Sequence, residues 1–547
     1  MAGNSVVPTT TLAALTANNT SAAGNFSSQS NGNAAPGNVS KVDVHSLLYS
    51  GATTKVYAHL MLWFGGSNHI NVGYTSNDRA QVQRQITDMI SRGIDGVIID
   101  WYGPNNSEDQ ATQLVMSEAE KHPGFSFAIM VDQGAIKWNS CPGCSPQEAL
   151  IQQLQYIERA YFPSPAYLRS QGRPVVTNFN VDLAYSINWD QVAAALSTQP
   201  VFWFQNNSGF THARSGGSYS WVMPTTTDYG MGYLASFYHA GMADPGGETV
   251  GAAYKGFNDS IASWGSNRVM GQQCGQTWLQ TFSEVNGLYN SGKQLPSLQL
   301  VTWNDYEEGT EIETGIDGCV RVSASVSGDS LRWTVAGKEN TVDHYVAYVS
   351  TDGKNLMSVA EANPGSDSLN LCSYALANGN YTAYVQAVGK PSILNQMSGA
   401  VKFGLNCASV SGGGSGSGGT IMVAANPSVM TIPPGGTGMM KVTVTPQLGS
   451  FNDAVALTCS GLPANLSCSF SPATVIPGAG AVSSNLTLKA TSPAVADRGQ
   501  RRSFLVATGL FSFGLFGVMI TDKIRRRHIL IALGSVLLIV MLIGATS

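Results

Sequence analysis

Between Lys55 and Trp303 the chain alternates between short apolar runs and longer stretches in which apolar residues recur every three or four positions. The apolar runs predict buried β-strands and the longer stretches predict amphipathic helices. The predicted strands are 56–64, 96–103, 125–131, 174–178, 201–205, 219–224, 250–257 and 298–303. The predicted helices include 78–92, 146–160, 190–197 and 277–291. Eight strands that mostly alternate with helices favour a (β/α)8 TIM barrel over residues 45–318, with a doubly wound open sheet as the alternative.

The predicted strands are continuously apolar, as expected of a parallel sheet that is covered on both faces. No glycine-rich phosphate-binding loop occurs among them, so the sequence predicts no nucleotide cofactor. Cys141-Pro-Gly-Cys144 is a lone CxxC without a second pair at zinc-finger spacing, so no metal site is predicted either.

The pattern becomes all-β after Gly318, where short apolar stretches are separated by turn residues. It predicts two sandwich domains, at 319–408 and 420–492, joined by a Gly/Ser linker at 409–419. In the first domain, Leu331-Arg-Trp333 and Tyr381-Thr-Ala-Tyr384 resemble core strands of fibronectin type III-like sandwiches. The second resembles the Ig-like modules of bacterial surface proteins.

Both ends of the chain differ in composition from the domains. Residues 1–44 are rich in Asn, Ser, Thr and Gly, and they predict a disordered leader. The tail at 503–545 carries two apolar runs, 504–520 and 529–545, separated by Arg525-Arg526-Arg527. The runs predict a transmembrane hairpin or a sorting tail with one span, and the Arg cluster is expected on the cytoplasmic side. The expected location is the cell surface, membrane-anchored, with the N-terminal domains outside.

Composition adds two constraints. A net charge of −5 gives no reason to expect nucleic-acid binding. Eight cysteines, an even number, permit disulfides in an exported protein, although their pairing cannot be read from the sequence.

A cluster of carboxylates follows the eighth predicted strand. Its members are Asp305, Glu307, Glu308, Glu311 and Glu313. Crowded like charges cost free energy, and such a stretch is often only a solvated loop. In a barrel, however, the carboxyl ends of the strands meet at one mouth, where catalytic groups are placed. Asp100 ends the second predicted strand and Asp132 follows the third, so acids from three strand ends are expected together.

Aromatic and amide side chains also occur at the predicted strand ends. Sugar rings pack their C–H faces on aromatic rings, and their hydroxyls need planar acid or amide partners, so paired carboxylates beside aromatic residues suit glycosidic bond chemistry. The candidates for substrate binding are Asp100, Trp101, Tyr102, Asp132, Asn178, Trp203, Gln205 and Trp303. Trp63 also lies near a strand end. For each tryptophan a place in the barrel core is an equally good interpretation.

Three segments carry a family resemblance. The stretch from Trp303-Asn304-Asp305 through Glu313 resembles the terminal-strand motif of glycoside hydrolase families 71 and 99, which are α-1,3-glucanases and endo-α-mannosidases. Asp100-Trp101-Tyr102-Gly103, with the apolar run before it, resembles the second-strand motif of family 99. Tyr254-Lys-Gly-Phe-Asn-Asp259 is similar to a third segment of that family. The resemblance covers about residues 55–318.

The resemblance implies a glycoside hydrolase in which Glu308 is the general acid and Asp305 is the general base. The base would act on water or on the 2-hydroxyl of the sugar. The further substrate-binding residues that it implies are Tyr254, Asn304, Glu311 and Glu313. Asp305 followed by Glu308 matches family 71, whereas the Glu-Gly-Thr-x-Ile-Glu continuation matches family 99. The substrate, α-1,3-glucan or α-mannan, therefore stays open, and the alternative function is a non-catalytic carbohydrate-binding or adhesion protein.

Overall fold

The computed structural model describes residues 10–11, 38–374, 376–407, 421–426, 436–446, 451–452, 454–459 and 466–490. It also describes four short strands between 509 and 541. The predicted leader up to residue 37, apart from 10–11, and the predicted linker at 409–419 lie outside the described residues.

Eight parallel strands form a closed barrel. They are β1 (Lys55–Met61), β2 (Gly96–Trp101), β3 (Ser126–Asp132), β4 (Arg173–Phe179), β5 (Val201–Gln205), β6 (Ser215–Tyr219), β7 (Glu248–Ala253) and β8 (Ser297–Leu300). Each strand pairs with the next, and β8 pairs with β1, with Leu298 opposite Val56. The predicted (β/α)8 barrel is confirmed and the open sheet is wrong, because pairing of the last strand with the first leaves no free edge.

Helices lie between the barrel strands along the chain. They are α1 (Arg79–Ser91), α2 (Ser107–Ala119), α3 (Gln133–Trp138), α4 (Pro146–Ala160), α5 (Val181–Ala184), α6 (Trp189–Ala194), α7 (Met231–Ala243) and α8 (Gln276–Leu288). The bounds of α4 match the prediction because Ser145 and Glu148 form a capping box and Pro146 opens the first turn. α2, α3, α5 and α7 were not among the helices predicted from the sequence. α7 contains Gly232 and Gly241, which weaken its intrinsic tendency to form a helix. Packing against the barrel nevertheless stabilises it.

Two strands differ from the prediction in ways that affect the mouth of the barrel. β6 occupies Ser215–Tyr219 rather than 219–224, and it is rich in Gly and Ser. A side chain at Gly217 would place its Cβ 2.4 Å from the Glu248 carbonyl oxygen of β7, so the close approach of these strands requires glycine. β8 ends at Leu300, and therefore the stretch from Trp303 to Glu313 is a loop beyond the strand rather than part of it.

The stretch Trp303–Glu313 is named the acid loop. Arg92, at the end of α1, holds it in place. The Arg92 side chain is fully buried and donates to the carbonyl oxygens of Ile312 and Glu313, at 2.8 Å each. Its guanidinium lies 4.8 Å from the centre of the Trp303 ring and also pairs with Asp88. A buried guanidinium is stable only when its donors are satisfied, so the acid loop and α1 depend on each other.

The end of the predicted leader is ordered. Val39 forms a bridge with Leu394, and Asp43 caps a 3-10 helix at Val44–Leu47. Val39 and Val44 are both about 1% exposed. The expectation of disorder up to residue 44 is therefore wrong for 38–44, because these two valines are buried against folded parts of the chain.

A two-sheet β-domain follows the barrel. Its strands are Arg321–Ser327, Ser330–Ala336, Val342–Ser350, Asn355–Ala362, Ser368–Asn370, Gly379–Gly389, Gln396–Met397 and Val401–Leu405. The strand Asn355–Ala362 was not predicted, and it pairs with Thr10–Thr11 as well as with Val342–Ser350. Trp333 and Tyr345 pack together in its core. A sandwich is what the alternating pattern predicts, while its fibronectin type III-like assignment stays a prediction.

The second predicted sandwich contains a four-stranded sheet. The strands in order are Ile421–Asn426, Thr437–Pro446, Val482–Ala490 and Leu466–Ser471. The short strands Val455–Leu457 and Thr474–Val475 pair with each other. Val444, Val455 and Leu486 belong to a hydrophobic core of their own, and the Ig-like assignment stays a prediction.

The apolar tail contains short strands. Gly509–Phe513 pairs with Leu537–Met541, and Phe516–Ile520 pairs with Ile529–Leu533. Within the part of the chain that is described, no helix has the length and apolar character needed to span a membrane. Parts of the predicted spans at 504–520 and 529–545, among them 504–508 and 534–536, lie outside the described residues.

Four disulfides pair all eight cysteines. They join Cys141 to Cys144, Cys274 to Cys319, Cys372 to Cys407, and Cys459 to Cys468. The Cys274–Cys319 disulfide joins the barrel to the β-domain that follows it. Each of the other three closes a loop within a single domain. The pairing that the sequence left open is thereby assigned.

Replacing Arg92 by methionine is expected to lower the free energy of unfolding of the barrel by about 3–5 kcal/mol, because two buried carbonyl groups and Asp88 lose their partner. The urea-unfolding curve, followed by tryptophan fluorescence, measures this loss. The control is Arg79→Met, since Arg79 is exposed on the same helix. Equal effects of the two substitutions would contradict the proposed role of Arg92.

Candidate active site

A cavity of about 1050 Å³ opens at the carboxyl ends of the barrel strands. All eight strands contribute to its walls through residues in or after them. These residues include Met61 in β1 and Trp63 after it, Asp100 and Tyr102 at β2, Asp132 at β3, Phe179 and Asn180 at β4, Gln205 at β5, Trp221 after β6 and Phe257 after β7. Asp305 and Glu308 of the acid loop complete it. The acids expected from three strand ends therefore share one cavity.

Asp305 is held rigidly at the start of the acid loop. Its side chain is 1% exposed. Its backbone N–H donates to the Thr302 hydroxyl at 2.8 Å, and its Oδ1 accepts the N–H groups of Glu307 and Glu308 at 3.0 and 2.9 Å. This turn fixes the direction of the carboxylate, and the two N–H groups stabilise its charged form.

Glu308 lies three residues further on and nearer to solvent. The indole N–H of Trp264 lies 3.4 Å from Glu308 Oε1, and the Glu308 carbonyl accepts the Asn258 N–H at 2.7 Å. Both partners belong to a hairpin formed by the strands Phe257–Asn258 and Val269–Met270. The carboxyl of Glu308 is thus placed between the acid loop and this hairpin.

Burial raises the pKa of both carboxyls, and each also feels neighbouring negative charge. Burial and then the charge of Glu308 raise the pKa of Asp305 well above its ordinary value. Burial raises the pKa of Glu308 to about 7. Because protonation of either group removes the charge that the other feels, the pair favours a state that carries a single proton.

Asp100 and Asp132 form a second acidic pair in the same cavity. Burial and then the charge of Asp132 raise the pKa of Asp100 well above its ordinary value. Burial also raises the pKa of Asp132 to about 7, although the Gly134 N–H opposes this shift. Asp100 lines the cavity, and its Oδ1 has no hydrogen-bond partner among the described residues.

Several predicted substrate-binding residues do not line the cavity. Trp101, Trp203 and Trp303 are at most 1% exposed and belong to the barrel core. Trp101 donates to Asp109 Oδ1 at 3.0 Å on the outside of β2. Tyr254 donates to the Tyr229 carbonyl at 3.0 Å. Successive side chains of a strand point alternately to the inside and the outside of the barrel, and these rings point away from its mouth.

Asn178 is also absent from the cavity walls. Its side chain is 4% exposed, and its carbonyl accepts the Tyr219 hydroxyl at 2.6 Å. In β4 it is Phe179 and Asn180, one and two residues later, that reach the cavity.

Three residues of the acid loop stabilise it instead of facing the cavity. Asn304 exchanges two hydrogen bonds with the backbone of Met61, at 2.8 and 2.9 Å. Glu311 forms a buried ion pair with Lys255 at 2.8 Å. Glu313 accepts from the hydroxyls of Tyr74 and Tyr306 and from Gln85, at 2.8 to 2.9 Å. Direct contact with substrate is therefore not supported for any of the three, because none of them lines the cavity.

Two histidines and three tryptophans that line the cavity were not named as candidates from the sequence. They are His59, His69, Trp138, Trp221 and Trp264. His59 lies inside β1, and a polar residue within an otherwise apolar buried stretch is the signal that could have identified it. The other four lie in segments after strands, where periodicity gives no information on side-chain direction.

The two histidines have different surroundings. Burial lowers the pKa of His59 to about 3, so its ring is neutral, and it meets the Trp221 ring edge-on at 4.7 Å. His69 stacks on Trp63 with ring centres 4.7 Å apart, and its Nδ1 lies 2.7 Å from Glu307 Oε2. His69 therefore keeps Glu307 out of the cavity, which leaves Asp305 and Glu308 as the acids that the loop presents there. Among the described residues, no group of three or more His, Cys, Asp or Glu side chains is arranged to hold a metal ion.

Comparison with known proteins gives structural neighbours only. No protein-family model and no curated protein matches the chain. Two structures of the family 99 endo-α-mannosidase from Bacteroides thetaiotaomicron are 18% identical, with TM-scores of 0.39 and 0.38. In both, 48% of this chain and 88% of that chain are covered. A structure titled glycoside hydrolase-like protein is 14% identical with a TM-score of 0.38, over 48% of this chain and 87% of that one.

Replacing Glu308 by glutamine is expected to stabilise the protein in a pH-dependent way. The pKa of Glu308 rises from an ordinary 4.5 to about 7 on folding, so its charge destabilises the folded state. Wild type and Glu308→Gln should be equally stable below pH 4.5, diverge as the pH rises toward 7, and differ by about 1–3 kcal/mol above it.

Thermal unfolding midpoints at pH 4 and pH 8 measure this difference. The matched control is Glu120→Gln, because Glu120 is exposed and its bond from the Ser164 hydroxyl can be kept by an amide oxygen. A variant that is no more stable than wild type at pH 8 would show that the charge of Glu308 carries no cost.

Proposed function

We propose that the protein is a surface glycoside hydrolase that cleaves an α-linked polysaccharide, with α-1,3-glucan and α-mannan as the candidate substrates. The observation that carries the proposal is that Asp305 and Glu308, both with raised pKa values, line one cavity together with aromatic rings. Paired carboxyls with divided protonation are what glycosidic bond cleavage requires.

Glu308 is the proton donor in this proposal. With a pKa of about 7 it keeps its proton in weakly acidic solution, and it lies nearer to solvent, where the departing sugar leaves. Asp305 is the base, because two backbone N–H groups stabilise its charge while burial makes the carboxylate more basic than usual. The reaction moves a proton from Glu308 to the glycosidic oxygen and another from the attacking hydroxyl to Asp305.

Glu308 and Asp305 together hold one proton before and after this step. Proton exchange with solvent then leaves Glu308 protonated and Asp305 charged again. The attacking hydroxyl belongs either to water or to the 2-position of the sugar itself. In both routes Asp305 has the same task, so both are compatible with the proposal. The shared requirement is that one carboxyl loses its proton while the other accepts one.

The remaining walls of the cavity suit a carbohydrate. Trp63, Tyr102 and Trp138 present rings, and Tyr102 and Trp138 stack at 6.3 Å. Asp100 and Gln205 offer polar atoms for hydroxyl groups. Such a combination of apolar faces and convergent polar groups is typical of a ligand site, and here it adjoins the proposed catalytic pair.

The proposed place of action is outside the cytoplasm, because disulfides form and persist mainly in oxidising compartments. The four disulfides support this. Attachment to a membrane through the apolar runs at 504–520 and 529–545 is proposed from their sequence alone. The two β-domains would then separate the barrel from the surface.

Substrates with and without a sugar leaving group test the two roles. On α-glucan and α-mannan oligosaccharides, Glu308→Gln should lower kcat by about 10²–10⁴, because the leaving oxygen receives no proton. Fluoride leaves without protonation, so on α-glucosyl and α-mannosyl fluorides the same variant should keep its activity within about tenfold. Asp305→Asn should lose activity on both kinds of substrate, and Glu120→Gln on neither.

The pH dependence gives a second readout. The activity of the wild type on oligosaccharides should fall as the pH rises through about 7, where Glu308 loses its proton. Oligosaccharide cleavage that survives both substitutions would disprove the assignment of the pair. Glycan binding without any cleavage by the wild type would instead favour a non-catalytic carbohydrate-binding protein.

A further inference from the structure

Trp264 is a half-exposed aromatic ring in contact with the proposed catalytic pair. About 45% of its surface is accessible, although it lines the cavity. The exposed apolar surface of a tryptophan at the rim of a cavity is removed from water only when a ligand covers the ring. The proposed mechanism does not use this residue.

The loop that carries Trp264 is rigid. It joins Phe257–Asn258 to Val269–Met270. Asp259, which is fully buried, accepts the N–H groups of Ser266 and Arg268 at 3.0 and 2.6 Å, and it also pairs with the Arg268 guanidinium at 2.8 Å. These bonds close the loop on itself, so Trp264 is presented in a defined position.

The indole ring is fixed on two sides. The ring centre of Trp63 lies 5.8 Å away at an angle of 67°, and that of His69 lies 5.9 Å away at 64°. The indole N–H points at Glu308 Oε1, at 3.4 Å. The ring is therefore oriented by its neighbours, and its remaining surface is available at the rim.

We propose that Trp264 binds the sugar unit on the leaving-group side of the cleaved bond and positions the Glu308 carboxyl toward that sugar's oxygen. The inference rests on the proposed function. A proton donor must lie within hydrogen-bond reach of the oxygen that departs. The sugar that carries this oxygen therefore lies beside Glu308, and Trp264 is the exposed ring in contact with that carboxyl.

Two substitutions separate the two roles. Trp264→Ala removes both ring and N–H, and it should raise KM for oligosaccharides about tenfold. It should leave KM for α-glycosyl fluorides within about twofold, since these carry no leaving-group sugar. Trp264→Phe keeps a ring and loses the N–H, so KM should stay near that of the wild type while kcat falls.

The pH profile of Trp264→Phe tests the positioning role. The N–H stabilises the charged form of Glu308, so its loss should shift the alkaline limb of kcat/KM to higher pH. The other charged groups that interact with Glu308 are Asp100, Asp259, Arg268, Asp305 and Glu307. The substitution leaves all of them in place.

Ile261→Ala is the matched control, because Ile261 is exposed on the same loop and does not line the cavity. It should change none of these quantities. A thermal unfolding curve shows whether each variant is folded, and Trp264→Phe supplies the pH readout if Trp264→Ala is not.

Three results would overturn the inference. Unchanged KM values and pH profiles in both variants would leave Trp264 without a role, and an equal rise in KM for fluorides would place the ring on the other side of the bond. Either result leaves the glycosidase assignment intact, because the wild type is active in both cases. A wild type that neither cleaves nor binds any oligosaccharide, as measured by calorimetry, would overturn both proposals.

Discussion

The buried guanidinium of Arg92 is the interaction on which the candidate site depends. It binds the last two carbonyl groups of the acid loop and packs on Trp303 at the loop's start, so one side chain holds both ends. Without it, a loop with five acids would gain most by spreading into solvent, because like charges repel and hydration stabilises each of them. Attachment to α1 keeps the loop folded over the end of β8, where its acids face different parts of the protein.

Each acid of the loop then has a separate environment. Glu311 is paired with Lys255, Glu313 is surrounded by hydroxyl and amide donors, and Glu307 is bound by His69. Asp305 and Glu308 are the two that line the cavity. Burial is the largest cause of the raised pKa of each. A cost in stability at this position is typical of a site whose charges are used on a ligand.

Much of the architecture could be predicted from periodicity. Seven of the eight barrel strands, α1, α4, α6 and α8 and the change to all-β structure after Gly318 all follow from apolar patterns and turn residues. α7 was missed because its glycines weaken the helical pattern, and the position of β6 was wrong because a strand of Gly and Ser has no apolar signature. Both elements exist because their neighbours in the barrel bury them, which is information that no local window contains.

The sequence alone determined that acids and aromatic residues would gather after β2, β3 and β8, since the carboxyl ends of parallel strands meet at one mouth. It also identified Asp305 and Glu308, Asp100 and Asp132 as candidates. Only the tertiary structure decided which side chains face the cavity. Trp101, Trp203 and Trp303 lie in the core, whereas Trp264, which belongs to a hairpin, lies at the rim. The reason is that side-chain direction in loops is set by long-range contacts such as those of Arg92, Lys255 and His69, and these partners lie far from the acid loop in sequence.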